Sequence, residues 1–188
     1  MKKNIVLPAF VIMVLAQLYV PSKMIWQSEQ VLTTGTEFRF RAAPVDPNDP
    51  FRGKYITLSY LDNRLTIDHE TDLMEGDQVF VLLTTDSAGF ASLKSVTKEE
   101  PAGEADYLQT TVDYVLSDSV STIFIRYPFN RFYMEESKAP LAEQLYMDAS
   151  RDTDQVVYAL VMVSKGRALL SDVVINGKSI SEAIKKQN

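Results

Sequence analysis

The feature that most constrains this chain is an apolar segment at its N-terminus, preceded by two lysines. Residues 5–20 contain only one strongly polar side chain, Gln17. As a helix they would span about 24 Å, and the apolar residues 24–26 extend that length towards the roughly 30 Å of a bilayer's hydrocarbon core. The sequence therefore predicts a membrane-spanning helix over residues 5–26, with the rest of the chain folding on one side of a membrane.

Two interpretations of this segment differ in whether it is retained. The small and aliphatic residues of Val14-Leu15-Ala16 have the spacing of a signal-peptidase site, and cleavage after Ala16 would release the rest of the chain. Tyr19 and Trp26 suit the membrane interface and favour an uncleaved signal-anchor. By the positive-inside rule, Lys2 and Lys3 predict a single pass through the inner (cytoplasmic) membrane, with a cytoplasmic N-terminus and an extracytoplasmic domain.

Charge and cysteine content exclude several classes of function. The chain has 19 Lys and Arg and 25 Asp and Glu, and three of the lysines precede residue 24, where there is no acid. The remaining residues carry a formal charge of 16 − 25 = −9. Such an acidic domain would be repelled by phosphate backbones, so nucleic acid is not an expected partner. The absence of cysteine excludes disulfides, thiolate metal sites and cysteine nucleophiles.

The length of 188 residues allows one domain plus the anchor. We therefore divide the chain into an anchor over residues 1–26 and a single domain over residues 27–188. Residues 22–30 are expected to form a short juxtamembrane helix or a linker, and residues 31–35 a turn into the domain.

Strand patterns dominate the domain. Phe38 and Phe40 alternate with Arg39 and Arg41, which places the aromatic rings on one face of a strand and the arginines on the other. Runs rich in β-branched and aromatic residues predict further strands at 55–61, 79–84, 89–96, 107–115, 121–127, 156–163 and 168–175. The last two of these read as a hairpin, followed by an Asn-Gly turn at 176–177.

Helical spacing is clear in only one place within the domain. Leu141, Leu145 and Ala149 recur at helical intervals within residues 138–151. Residues 62–77 form an acidic connector, which we expect to contain a short solvated turn of helix. The predicted fold is β-rich, mainly an antiparallel barrel-like sheet or sandwich with one amphipathic helix, plus the N-terminal transmembrane helix.

A rigid loop precedes the strand that begins at Tyr55. Pro44, Pro47 and Pro50 each fix their own φ and push the preceding residue towards an extended conformation. Asp46 and Asp49 can cap their own turns through bonds to backbone amides. The loop is most simply interpreted as a corner that sets the register between two strands.

A binding role for the same region is the competing interpretation. Basic side chains at one end of the sheet would hold a carboxylate, a phosphate or a lipid headgroup through forked hydrogen bonds. Alternatively, Arg52 pairs internally with Asp46 or Asp49. The candidate binding residues are Arg39, Arg41, Asp46, Asp49, Arg52, Lys54 and Tyr55.

The sequence contains no recognisable catalytic set. His69 is the only histidine, and its acidic sequence neighbours do not supply the orienting group and nucleophile of a triad. Residues 46–49 lack the spacing of a calcium-binding loop, and the glycine patterns of nucleotide sites are missing. Glu135 and Glu136 would point apart on a strand. We predict no catalytic residue, no metal and no cofactor.

The segment Gly53-Lys54-Tyr55-Ile56-Thr57-Leu58-Ser59-Tyr60 reads as G-x-Y-x-x-L-x-Y, and an Asp-Pro-x-Asp-Pro loop precedes it. With the strand entry at 75–81 and the aromatic segment at 126–136, the chain resembles the GDYXXLXY protein family over most of its length. The motif residues are Gly53, Tyr55, Leu58 and Tyr60, whereas Lys54 stands where the family's name has aspartate. The resemblance implies a membrane-anchored, uncharacterised protein associated with polytopic membrane proteins, and implies no reaction.

Three functions follow as hypotheses. The first is a non-catalytic accessory domain that partners a membrane protein, and the aromatic run at 127–133 would contribute if it were exposed rather than buried. The second is a sensor that binds a small anionic ligand or a lipid headgroup through Arg39, Arg41 and Arg52. The third, an unrecognised hydrolase, has no motif to support it.

Overall fold

The structure is a computed structural model that describes residues 3–44, 55–103, 106–117 and 120–185. It begins with one long helix, α1, over Lys3–Thr34. The part from Val6 to Thr34 is long and apolar enough to cross a membrane, which confirms the predicted apolar helix. The turn predicted over residues 31–35 is wrong, because the helix continues to Thr34. The boundary drawn between residues 26 and 27 therefore falls inside α1.

The domain that follows is rich in strands. The strands are β1 Thr36–Ala43, β2 Tyr55–Thr57, β3 Ser59–Tyr60, β4 Arg64–Ile67, β5 Gln78–Thr85, β6 Ala91–Thr97, β7 Tyr107–Ser117, β8 Ser121–Arg126, β9 Arg131–Tyr133, β10 Val157–Ser164, β11 Arg167–Ile175 and β12 Lys178–Ser179. Two further helices of the described chain are α2 Ala139–Arg151 and α3 Ile180–Lys185. These elements confirm the predicted β-rich fold with an amphipathic helix after the N-terminal one.

A second local prediction is wrong, at the acidic connector of residues 62–77. It contains β4 and no helix, because β4 pairs with β8 and turns Leu65 and Ile67 towards the core. The short strands β9 and β12 and the helix α3 were not predicted. The predicted hairpin of β10 and β11 is present, and Asn176 and Gly177 turn the chain into β12 with positive φ angles.

Within the described residues, antiparallel pairing builds two five-stranded sheets that nearly close into a barrel. The strand order is β12-β11-β10-β1-β3 in the first sheet and β4-β8-β7-β5-β6 in the second, and β2 pairs separately with β9. A bridge between Leu108 and Gly166 joins β7 to the β10–β11 turn. This bridge brings the second sheet against the end of the first.

The core lies between the sheets and follows the period of two. In β10, every second residue from Val157 to Val163 is buried, and Phe38 and Phe40 of β1 are buried as predicted. An aromatic cluster of Phe40, Tyr60, Tyr127 and Phe129 fills the centre, with ring centroids 5.0 to 5.9 Å apart. The rings meet mostly edge to face or tilted, the arrangement favoured by aromatic quadrupoles.

Helix α2 closes one side of this core. It buries Ala142 and Ala149, small residues that allow close approach, and between them Tyr146. The Tyr146 hydroxyl donates a hydrogen bond to the carbonyl oxygen of Ala43 at 3.0 Å. Burial raises the pKa of Tyr146 to about 12. This hydrogen bond joins α2 to the end of β1. The segment that follows in the sequence, residues 44–50, is the proline- and aspartate-containing loop, which we call the Pro/Asp loop.

Candidate functional site

The motif residues lie where the chain passes from one sheet to another. Tyr55 belongs to β2, which pairs with β9, whereas Tyr60 belongs to β3, which pairs with β1. Leu58 occupies the break between these strands, is buried, and donates its amide to the Asn130 carbonyl oxygen at 2.9 Å. The predicted inner face of Ile56, Leu58 and Tyr60 is confirmed, since all three side chains are buried.

The buried tyrosines of this region are satisfied by backbone acceptors. The Tyr60 hydroxyl donates to the carbonyl oxygen of Phe129 at 2.8 Å, and the Tyr127 hydroxyl donates to the carbonyl oxygen of Asp62. Burial raises the pKa of both phenols well above the ordinary value. They therefore remain protonated at neutral pH and act as hydrogen-bonded parts of the core.

The two arginines predicted from β1 lie on its outer face. Arg41 forms ion pairs with Asp86 at 2.6 Å and Asp62 at 3.5 Å, and its guanidinium stacks 4.2 Å from the centroid of the Phe90 ring. Arg39 lies 3.9 Å from the Glu37 carboxylate. An anion at Arg41 would have to compete with two carboxylates that already hold the guanidinium.

Asp86 is held in place by its own turn. One carboxylate oxygen accepts hydrogen bonds from the amides of Ala88 and Phe90, both at 2.9 Å, and the other accepts from Arg41. The Phe90 amide and the Arg41 guanidinium lower the pKa of the Asp86 carboxyl below its usual value. The β5–β6 turn therefore presents a fixed carboxylate to β1.

Of the remaining predicted binding residues, Tyr55 lies in the described part of the chain and the others lie outside it. Tyr55 lies on β2, with its ring 5.5 Å from that of Tyr133 and the Arg131 guanidinium 5.0 Å from its centroid. Outside the described residues are Asp46, Asp49, Arg52, Gly53 and Lys54. The binding role proposed for this set stays a prediction.

The aromatic run at 127–133 divides into a buried and an exposed part. Tyr127 and Phe129 belong to the core, whereas Tyr133 is 66% exposed. His69 is exposed at the end of β4, and no group of three or more histidine and acidic side chains in the described chain is placed to hold a metal ion.

A cleft of about 650 Å³ lies between the last turns of α1 and the domain. One wall comes from α1 through Gln27, Ser28 and Val31, and the opposite wall comes from β7, the end of β8 and the start of β11. Arg126 and Arg167 both line it. We call this space the juxtamembrane cleft, because Gln27 directly follows Trp26, the last residue of the predicted membrane-spanning segment.

Sequence reasoning did not find the juxtamembrane cleft. Its walls come from segments around residues 27–31, 109–111, 126–130 and 166–169. Each segment looks like an ordinary helix end or strand end in the sequence. The only local signal is an arginine at the end of β8 and another at the start of β11, and this becomes meaningful once both strand ends are seen beside α1.

The family membership suggested by the motif is supported by a match along most of the chain. The family model described as "GDYXXLXY protein" matches residues 17–173, most of the chain. The chain belongs to the GDYXXLXY protein family. No curated protein and no solved structure matches it. The GDYXXLXY match covers the second half of α1, all of the second large sheet, the first sheet except β12 and the end of β11, and the residues that line the juxtamembrane cleft.

Three residues of the GDYXXLXY motif, Tyr55, Leu58 and Tyr60, have identifiable structural roles. The first tyrosine, Tyr55, contacts Tyr133 and Arg131 outside the core. The leucine, Leu58, and the second tyrosine, Tyr60, face inward. Leu58 and Tyr60 are two positions apart, so their side chains lie on the same side of the chain. That side faces the core both at the break after β2 and in β3, where the chain joins another sheet.

Proposed function

We propose that this protein is a non-catalytic accessory domain, held at the outer surface of the inner membrane by α1, that binds another membrane protein. The observation that carries the proposal is the continuity of α1, which passes from the apolar segment into the domain without a linker. A domain mounted in this way has a set distance and orientation relative to the membrane.

The dimensions of α1 support this arrangement. Residues 6–26 would span about 31 Å, the thickness of a hydrocarbon core, which leaves the last eight residues to extend about 12 Å beyond it. Within that extension Val31 is only 4% exposed, because it packs on the domain. The amide of Gly35 closes the helix on the Val31 carbonyl oxygen at 3.0 Å, and β1 begins at the next residue.

Rigid mounting favours recognition of a neighbour in the same membrane. A flexible tether samples many heights and angles, and the partner must offset the lost freedom on binding. A helix that enters the domain directly has already lost that freedom during folding. The apolar side chains of α1 from Val6 to Trp26 are exposed in the isolated chain, so the helix offers a second surface to a transmembrane partner.

The orientation is the expected one for an apolar segment preceded by Lys2 and Lys3. The positive-inside rule keeps these residues in the cytoplasm and places the domain on the outer side. Cysteine-specific labelling of an introduced Ser117→Cys variant in intact cells and in inverted membrane vesicles tests this. Labelling in inverted vesicles alone would contradict the orientation.

The test of partner binding is crosslinking in native membranes followed by mild detergent extraction and mass spectrometry. A short flexible Gly-Ser segment inserted between Thr34 and Gly35 would uncouple the domain from α1. We expect the insertion to remove specific crosslinks between the domain and its partner while leaving membrane insertion and domain folding intact. The matched control carries the same segment between Pro101 and Ala102, in the polar loop that follows β6.

Two results would contradict the proposal: the absence of any specific membrane partner in the native protein, and an identical set of domain crosslinks after the junction insertion. The variant Arg52→Ala, compared in the same experiment, asks whether the Pro/Asp loop contributes to the interface. Loss of the partner in that variant, with the fold intact, would assign the loop to binding.

A further inference from the structure

We propose that the juxtamembrane cleft binds a phosphate-bearing ligand, either the headgroup of a phospholipid or a soluble phosphate ester. The first observation is its sign of charge. Residues 24–188 carry a formal charge of −9, yet the described residues that line the cleft include Arg126 and Arg167 and no aspartate or glutamate. A basic concavity in an acidic domain focuses a local positive potential that attracts anions.

The second observation is how Arg167 is held. Its Nη1 atom donates to the Oε1 atom of Gln27 on α1 at 2.8 Å, so a neutral amide orients the guanidinium. Within the described part of the chain, no carboxylate lies within ion-pair distance of Arg167. The positive charge of Arg167 is therefore not compensated by an acidic side chain of the described residues, and the guanidinium has further N–H groups that can donate to an anion.

Arg126 differs in being partly neutralised. Its Nε atom donates to Asp113 Oδ1 at 3.0 Å, and its Nη2 atom donates to the same oxygen. Asp113 does not line the cleft. A guanidinium has five N–H donors, so the pair with Asp113 fixes the side chain while leaving donors for a second oxygen acceptor. We assign the stronger contribution to Arg167 and a supporting one to Arg126.

The neutral lining and the size of the cleft suit a phosphate ester. The side chains of Gln109, Thr111 and Asn130 line the cleft together with the arginines. Their amide and hydroxyl groups can form hydrogen bonds with the phosphate and hydroxyl oxygens of a phosphate ester. The volume of about 650 Å³ lies in the usual range for small-ligand sites.

The position of the cleft favours phosphate over other anions. In the proposed anchoring, Trp26 lies at the membrane interface, and the α1 wall of the cleft, which begins at Gln27, lies at the level of the phospholipid headgroups. Forked guanidinium groups bind phosphate oxygens through paired charge-assisted hydrogen bonds. The site is distinct from the predicted set on β1, where the carboxylates of Asp62 and Asp86 occupy Arg41.

The experiment uses the full chain in an uncharged detergent and two probes, dioleoyl phosphatidylglycerol and glycerol phosphate. Binding is measured by native mass spectrometry for the lipid and by calorimetry for the soluble ester. The variants are Arg167→Gln and the double variant Arg126→Gln/Arg167→Gln. The matched control for loss of one exposed positive charge is Arg151→Gln, at an exposed position on α2 that does not line the cleft.

We expect saturable binding of at least one probe, weakened about tenfold by Arg167→Gln and further by the double variant. Arg151→Gln should stay within about twofold of the native protein. Binding of the lipid with little binding of the ester identifies a headgroup site, and comparable binding of the ester identifies a soluble ligand. No binding of either probe, or an equal loss in Arg151→Gln, would overturn the proposal.

A second measurement does not depend on the folding of the variants. A photoactivatable phosphatidylglycerol, incorporated with the native protein, should label residues of β7 and the start of β11. Labelling restricted to the apolar side chains of α1 would place the lipid elsewhere and overturn a headgroup site. Partner crosslinking is a separate readout, so failure here leaves the proposed accessory role standing.

Discussion

Arginines occur in two contrasting settings on this protein. In the Arg41 cluster, formed by Arg41, Asp62, Asp86 and Phe90, two carboxylates and an aromatic ring surround one guanidinium. In the juxtamembrane cleft, Arg167 contacts the neutral amide of Gln27. One guanidinium has its charge compensated within the fold, and the other is held in position with its charge available.

The contrast shows that the partners of an arginine decide its role. The charge of Arg41 contributes to joining β1 to the β5–β6 turn, so its loss should appear mainly in stability. The charge of Arg167 faces a cleft, so its loss should appear mainly in binding.

Displacing α1, which forms one wall of the cleft, should lower the free energy of unfolding more than any other change considered. A Cβ atom at Gly35 would lie 2.5 Å from the Val31 carbonyl oxygen and 3.0 Å from that of Val163. Gly35→Ala should therefore push α1 away from β10 and lower the free energy of unfolding by about 2 kcal/mol. Denaturant unfolding in detergent measures the change, and Thr34→Ala, at an exposed neighbour, should stay within about 0.5 kcal/mol. Unchanged stability would contradict the packing of α1 on β10.

The next effect is expected at Arg41. Arg41→Ala removes the ion pair with Asp86 and the stacking on Phe90, but the side chain is 34% exposed and solvent screens its charge. We expect a loss of about 1 kcal/mol. Arg39→Ala is the matched control, because that side chain is 51% exposed and lies 3.9 Å from its acid. Equal losses in the two variants would remove the distinction between the cluster and an ordinary surface arginine.

Acid should weaken the Arg41 cluster selectively. The pKa of Asp86 is lowered in the folded protein, by the hydrogen bond from the Phe90 amide and by Arg41. Its contribution to stability is therefore complete well above the unfolded pKa of about 3.9, and is lost as the pH falls through the folded pKa. The free energies of unfolding of the native protein and Asp86→Asn should begin to converge below about pH 4 and should meet once the pH lies below the folded pKa of Asp86. A difference that stays constant with pH would show that ionisation of Asp86 does not stabilise the fold.

The smallest stability effect is expected at Arg167. Arg167→Gln removes a hydrogen bond between exposed groups, and the free energy of unfolding should stay within about 0.5 kcal/mol of the native value. The same variant should weaken phosphate binding about tenfold. A destabilisation as large as that of Arg41→Ala would show that Arg167, like Arg41, acts mainly in stabilising the fold.

Much of the secondary structure could be predicted because it depends on near neighbours in the sequence. The alternation of Phe38 and Phe40 with arginines placed β1 and its inner face correctly. The acidic connector was misjudged for the opposite reason. Its charges suggest a solvated turn, but Leu65 and Ile67 pack against the core when β4 pairs with β8, and tertiary pairing outweighs local preference.

The juxtamembrane cleft could not be predicted, because its residues are distant in the sequence. Gln27 and Arg167 are separated by 140 positions and meet only when α1 packs against the β10–β11 hairpin. Strand order and the closure of the sheets determine which strand ends become neighbours. The parallel bridge between Leu108 and Gly166 that brings β7 beside this hairpin has no local sequence signature.

Local sequence was enough to establish the apolar N-terminal helix, the β-rich character of the domain and the inward face of Ile56, Leu58 and Tyr60. These follow from hydrophobic length and from a period of two, which each segment carries within itself. Tertiary structure alone decided that the chain changes sheets at Leu58. It also decided that Arg41 meets Asp62 and Asp86, 21 and 45 positions away, while Arg167 opens onto a cleft. A charge acts on whatever lies near it in space, and only the folded chain determines those neighbours.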